Sequence, residues 1–248
     1  MPAAEAIRVI PLVLLSTAFG FGQQASANSD ASDPAERTLF VNCEENAKPK
    51  QVLSPVSLSE DGKWRAYVEV DVRSDLGCLH TTRLWVARPS EPYRLVYFMP
   101  PQGEAVENGM EILGWAKNSR VLLVKTEAWQ WASDADDVQG IAAIDAETGM
   151  VYEPRLDAML EERNGKQCAY RVTDAGFGDD KDVDILVRAK FHTAYDVDQT
   201  EEDVPPAKRC GNFEETWSFN FDRGQTKQVA NTEPLQIVKK SLPDQGGN

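Results

Sequence analysis

Two histidines, His80 and His192, are the only imidazoles in this 248-residue chain. Imidazole is the side chain best suited to move a proton or hold a metal near neutral pH. Neither histidine lies in a His-Glu-x-x-His motif. The chain also has no Gly-x-Ser-x-Gly elbow, no P-loop and no Gly-x-Gly-x-x-Gly fingerprint. Each histidine falls at the end of an expected strand or in a loop, where it packs locally unless the fold brings the pair together.

The acidic clusters suggest other chemistry. Asp180-Lys181-Asp182-Val183-Asp184 has the Asp-x-Asp-x-Asp spacing with which a turn converges oxygens on calcium. The sixth position, normally Gly, is Ile185, and the twelfth, normally a bidentate Glu, is Phe191. The alternation Val183, Ile185, Val187 reads instead as a strand. The expectation is therefore no cofactor, with calcium at this run as the minor alternative. Asp134, Asp136 and Asp137, and the run from Asp196 to Asp203, fall in long connections between strands. Their ordinary role is to be solvated, although a facing pair of carboxylates could serve a hydrolase or lyase acting on polysaccharide.

Trp129 and Trp131 flank Gln130 before the first of these acidic loops. On a loop they would mark a binding face. If the strand runs on through Trp131, both point to one side and pack. Together with His80, His192 and the three loop aspartates they form the candidate binding set.

Four cysteines, Cys43, Cys78, Cys168 and Cys210, make an even count with no Cys-x-x-Cys pair. In an exported chain this suggests two disulfides with three connectivities. Sequence neighbourhood favours Cys43–Cys78 and Cys168–Cys210, each closing a loop of roughly 40 residues, worth on the order of 3–4 kcal/mol. Export is expected from the N-terminus. Arg8 precedes the apolar run Val9–Phe19, and Ala25-Ser26-Ala27 has the small-x-small pattern of a cleavage site. The reading is a signal peptide over 1–27, a flexible leader over 28–37, one domain over 38–232 and a flexible tail over 233–248, in a secreted or periplasmic protein with no membrane insertion. With 26 Lys plus Arg against 40 Asp plus Glu, the net charge of −14 disfavours nucleic acid as a partner.

These residues are carried on strands. Trp64, Ala66, Val68 and Val70 alternate with Arg65, Tyr67, Glu69 and Asp71 after the turn pair Asp61-Gly62, read as a two-residue hairpin loop. A second hairpin follows over 82–98. The same order recurs around Asn118-Ser119-Arg120 and Asp180-Lys181-Asp182, giving three four-stranded meanders. A recurring unit of this size fixes architecture rather than chemistry. Pro154, Leu156, Met159, Leu160 and Asn164-Gly165 mark one short helix between the second and third meanders. The connections over 71–81, 126–138 and 192–212 occupy equivalent places, so they should emerge on one end as an acidic, aromatic rim.

Leu58-Ser59-Glu60-Asp61-Gly62-Lys63-Trp64, the looser Trp115-Ala116-Lys117-Asn118-Ser119-Arg120, and Ile144-Asp145-Ala146-Glu147-Thr148-Gly149 together resemble the TolB-type β-propeller repeat over roughly residues 50–230. There such phrases open and close each blade. The resemblance implies a propeller-like all-β fold, with a β-sandwich as the alternative. It implies nothing specific about function. Propellers usually have at least four blades, so three blades would leave the structure open or make it an oligomer. The chain reads as an exported, non-catalytic binding module for a protein or carbohydrate ligand, the alternative being a carboxylate-dependent hydrolase or lyase.

Overall fold

The side chains of Asp61 and Asn118 fold the backbone in the same way. Asp61 Oδ1 accepts the Lys63 N–H at 3.0 Å, and Asn118 Oδ1 accepts the Arg120 N–H at 2.8 Å. Each turn is then closed by matching backbone bonds. Gly62 N–H donates to Ser59 O and Ser59 N–H to Trp64 O, both at 3.0 Å; Ser119 N–H donates to Ala116 O at 2.8 Å and Ala116 N–H to Val121 O at 2.9 Å. The expected two-residue loop is corrected to a four-residue one, Glu60 to Lys63. The left-handed position falls on Gly62 (φ 71°) in one turn and on Ser119 (φ 61°) in the other. Ser119 is the only non-glycine with positive φ among the described residues. Its hydroxyl accepts the Asp61 N–H at 3.1 Å and so links the two turns.

The structure, a computed structural model, describes residues 49–73, 79–102, 106–130, 138–178, 184–195, 200–221 and 224–240. All lie in the second of two units, residues 1–36 and 37–248. The expected signal peptide and leader, Cys43, Cys78, Trp131, Asp134, Asp136, Asp137, Asp180 and Asp182 lie outside the described residues.

The fold is all-β: the described residues form three antiparallel sheets, one α-helix and two short 3-10 helices, Glu201–Asp203 and Pro206–Lys208. In sheet 1, β1 (Lys50–Leu53) and β2 (Ser57–Leu58) both pair with β3 (Arg65–Arg73), followed by β4 (Leu79–Ala87) and β5 (Arg94–Met99). Sheet 2 runs in order through β6 (Val106–Trp115), β7 (Val121–Gln130), β8 (Val138–Asp145) and β9 (Val151–Tyr152). Sheet 3 runs through β10 (Cys168–Phe177), β11 (Asp184–Thr193), β12 (Phe213–Asn220) and β13 (Gln225–Val229). Helix α1 (Leu156–Asn164) buries Leu156 and Leu160. It ends at Gly165 (φ 63°), whose N–H caps Glu161 O at 2.7 Å.

Sheet 2 is the middle layer. Leu122, Val124, Ala142 and Ile144 join one core with Ala66, Val68, Val70, Leu84 and Val86 of sheet 1. Val121, Leu123, Ile141 and Ala143 join the other with Val172, Ile185, Val187, Trp217 and Phe219 of sheet 3. A sheet covered on both faces requires runs without polar alternation, as in Val121–Val124 and Ile141–Ile144. The Cys168–Cys210 disulfide (Cα–Cα 5.2 Å) is buried in the second core and ties β10 to the connection between β11 and β12.

One segment spans all three sheets. Gln236 and Phe177 exchange backbone hydrogen bonds at 2.7 and 2.8 Å, as do Val238 and Trp115 at 3.0 and 2.9 Å, and Leu58 N–H donates to Lys240 O at 2.7 Å. Residues 236–240, expected to be part of a loose tail, therefore form a strap that steps two residues per sheet across the ends of the first strands. Ile237 packs on one core and Val238 on the other. Gly114 and Gly176 make room for it. A Cβ on Gly114 would lie 2.6 Å from Val238 O, and one on Gly176 would lie 3.1 Å from Gln236 O.

Candidate functional site

The strand ends flanking the β3–β4, β7–β8 and β11–β12 connections, at Arg73 and Leu79, Gln130 and Val138, and Thr193 and Phe213, lie at the end of each sheet opposite the strap. Of the residues expected to form a rim there, His80, Trp129 and His192 are described, and Trp131, Asp134, Asp136 and Asp137 lie outside the described residues. His80, on β4, is fully buried between sheets 1 and 2, with Nε2 3.9 Å from Glu107 Oε1. Trp129, on β7, is half-buried. It donates from Nε1 to Glu107 Oε2 at 2.5 Å and meets the His80 ring edge-on at 6.2 Å. Asn108 donates to the carbonyls of His80 and Pro100, both at 3.1 Å, and accepts from Thr82 Oγ1 at 2.7 Å. Burial pushes the His80 imidazole below its usual range, against the pull of the Glu107 carboxylate and the Asn108 hydrogen bond. This is a polar staple between β4 of sheet 1 and β6 and β7 of sheet 2.

His192 lies elsewhere. It pairs with Ala169 on the outer face of sheet 3, beside Arg171, Lys190 and Glu214 in a cleft of about 540 Å³. The whole thickness of sheets 2 and 3 separates the two histidines, so they form no common site. Asp184 opens β11 and accepts from Asn220 Nδ2 at 2.5 Å. Among the described residues, no group of three acidic, histidine or cysteine side chains is placed to hold a metal.

Buried carboxylates bind strands together. Asp145 accepts the backbone N–H groups of Glu147 and Thr148 at 2.9 and 3.1 Å and pairs with Arg120. Burial acts upward on its pKa, but these partners hold it below the usual range. Glu127 accepts from Gln139 at 2.8 Å, and Gln139 Oε1 accepts the Val172 N–H at 2.9 Å, linking sheets 2 and 3. Glu69 holds Arg83 at 3.0 Å.

The outer face of sheet 1 is different. Odd-numbered positions of β3 and β4 point away from sheet 2, and cross-strand register aligns Tyr67 with Trp85, Trp85 with Leu95, Arg83 with Phe98, and Leu53 with Glu69. Tyr67 stacks beside Trp85 at 6.5 Å and meets Tyr93 edge-on at 4.7 Å. Arg65 lies over Tyr93 at 4.5 Å and Arg83 over Phe98 at 5.8 Å. Burial raises the phenol pKa of both Tyr67 and Tyr93. Leu53, Leu95 and Phe98 are 56%, 46% and 47% exposed, and they are three of the five large apolar side chains exposed among the described residues. Trp85 Nε1 is buried with no acceptor among those residues.

The corresponding face of sheet 3 is covered by the chain itself at one end, while the other carries exposed Arg171 and Lys190 beside His192. Leu186, Thr216 and Ser218 are buried there. Arg188 donates to Asn231 O at 2.7 Å, Thr216 Oγ1 to Asn231 Oδ1 at 3.0 Å, and Asn231 Nδ2 to Glu214 O at 3.1 Å. The sheet 1 face is absent from the candidate set drawn from sequence, because the alternation in β3 assigns Arg65, Tyr67, Glu69 and Asp71 to solvent. A signal did exist: the 84–98 hairpin is apolar at odd and even positions alike. No family model matches the chain, and no curated protein does.

Proposed function

We propose that this chain is a non-catalytic interaction module that docks a protein partner on the outer face of sheet 1. One observation carries the reading. The stack has two outer sheet faces: the chain lays Asn231 and Glu233 across part of one, whose open end is charged (Arg171, Lys190, Glu214), while leaving the other aromatic and uncovered among the described residues. Contiguous exposed apolar surface on a soluble domain marks an interaction site, and aromatics with arginine are the side chains that anchor interfaces. The buried carboxylates Glu107, Glu127, Glu69 and Asp145 are engaged in holding strands, which favours binding over carboxylate catalysis. The module is read as exported: a disulfide suits an oxidising compartment, and among the described residues no helix is long and apolar enough to cross a membrane. The three meanders are read as blades of the TolB-type repeat.

Photocrosslinking tests the docking face. With benzoylphenylalanine in place of Phe98, irradiation in the native compartment should give a discrete protein adduct that Leu95→Glu abolishes. The same probe in place of Glu162, on the helix, should give none. A probe at 98 that yields only uncrosslinked chain overturns the reading.

A further inference from the structure

We infer that the partner on this face is a second copy of the chain, the two outer faces of sheet 1 packing about a two-fold axis. The inference rests on the docking reading above and adds the identity of the occupant.

The charges on the face carry it. Arg65, Arg73 and Arg83 share the face with Glu69 and Asp71. This region is close to neutral on a chain whose net charge is −14. A basic partner would be drawn to the acidic remainder of the surface. Two copies of an acidic chain instead approach each other with least repulsion through a neutral face. The signs are also arranged to complement themselves. Arg65 and Asp71 lie toward opposite ends of β3, about 20 Å apart at a rise of roughly 3.3 Å per residue. A two-fold axis lying between the faces and perpendicular to the strands reverses the strand direction, and so brings Arg65 of each copy toward Asp71 of the other. Such isologous contacts are the commonest way for a chain to pair with itself.

The packing mode is already present in the molecule. Sheet 1 stacks on sheet 2, and sheet 2 on sheet 3, through interleaved apolar side chains. A second copy offers Tyr67, Trp85, Leu95 and Phe98 a surface of the same kind. The area is sufficient. Four strands at about 4.8 Å spacing and up to 30 Å in length present on the order of 500 Å² per copy. The total, near 1,000 Å², sits at the lower bound for a specific interface. The dimer is therefore expected to be reversible, with a Kd on the order of micromolar.

Sedimentation velocity on the full disulfide-bonded chain, from about 1 to 200 µM, tests this. The expected result is a concentration-dependent shift from one to two chain masses. The combination Leu95→Glu and Phe98→Glu should weaken association by about a hundredfold or more, consistent with loss of central apolar anchors, with the circular dichroism spectrum unchanged. Arg65→Asp and Asp71→Arg should each weaken it by roughly two- to fivefold, the scale of rim ion pairs, and together should restore it. Rescue by the exchanged pair cannot come from misfolding. A chain that remains one mass throughout, or a dimer indifferent to the two glutamates, overturns the inference. If the probe at position 98 meanwhile crosslinks to a different protein, docking on this face stands and only self-association falls. If the probe yields no adduct, both fall.

Discussion

Replacing Gly114 with alanine should loosen the strap and cost more than any other single methyl group added to sheet 2. Two effects combine. Gly114 has φ 146°, outside the range that residues with a Cβ adopt readily, and holding alanine there costs about 1–3 kcal/mol. The new Cβ would also stand 2.6 Å from Val238 O and 2.7 Å from Ile237 Cγ1. The backbone oxygen cannot swing away as a side chain can, so Val238 must withdraw from Trp115. That breaks two backbone hydrogen bonds, worth about 1 kcal/mol each. The sum is about 3–5 kcal/mol, or roughly 6–20 °C in melting temperature for a chain of this size. Gly176→Ala should cost only about 1 kcal/mol, because its contacts begin at 3.1 Å and its φ is not positive.

Thermal melts read the total, and amide exchange at Trp115 and Val238 reads the strap. The decisive comparison uses a chain ending at Pro234. Without residues 235–240 the contact disappears, and Gly114→Ala should cost only its backbone share, about 1–3 kcal/mol. Equal losses in the full and shortened chains would falsify the claim that this glycine exists for the strap.

Three further perturbations follow from the same structure. Cys168→Ser with Cys210→Ser opens a loop of 42 residues and should cost about 4 kcal/mol in the chain-entropy picture; non-reducing peptide maps should show this bridge and, as the sequence suggests, Cys43–Cys78. Gly62→Val, at φ 71°, should destabilise by roughly 1–3 kcal/mol, and an unchanged melting temperature would mean that the turn does not need its left-handed position. Acid should act in two steps. His80 is held below the unfolded value near 6.5, so its contribution is complete above that pH and is lost as pH falls further. Asp61 is depressed to about 2: burial works upward, but the Lys63 N–H and ammonium and the Ser59 hydroxyl outweigh it, so its share is lost between about pH 4 and pH 2. Urea midpoints measured from pH 8 to pH 2 should show both limbs, and His80→Gln should erase only the first.

Where local chemistry decides structure, the sequence was legible. Asp61 and Asn118 each capture an N–H two residues on, so the same turn recurs whether Gly62 or Ser119 follows and marks the first two meanders; the third expected turn lies outside the described residues. The helix was marked by Pro154, by Leu156 and Leu160 on one face, and by Gly165 at its end. What could not be read locally depends on which side of a strand meets another sheet. His80 and Trp129 lie near strand ends, where a loop and a core reading fit the same residues; only the approach of sheet 2 to β4 decides between them. The strap was hidden because Leu235 to Lys240 has no partner within its own stretch, and the Leu242-Pro243 to Gly246-Gly247 end suggested a loose tail. Its trace was the glycine placed directly before Trp115 and again before Phe177, since a glycine inside a strand often means that another backbone passes close by.

Under the docking proposal, the outer face of sheet 1 would need shielding from water before a partner arrives. An uncovered aromatic sheet is an aggregation hazard. Here Arg65 and Arg83 lie over Tyr93 and Phe98, and Arg83 is held in place by Glu69 at 3.0 Å. A guanidinium covers a ring while keeping its own edge in water, so the face is shielded without being filled. The proposed partner would pack on Leu95 and Leu53 and on the part of the Phe98 ring that Arg83 leaves exposed. Removing the arginines should therefore separate solubility from recognition: Arg83→Ala should leave the fold intact, lower the concentration at which the chain precipitates, and free the Phe98 ring. If solubility is unchanged, the guanidinium does not shield the face, and the exposed rings must be tolerated for another reason.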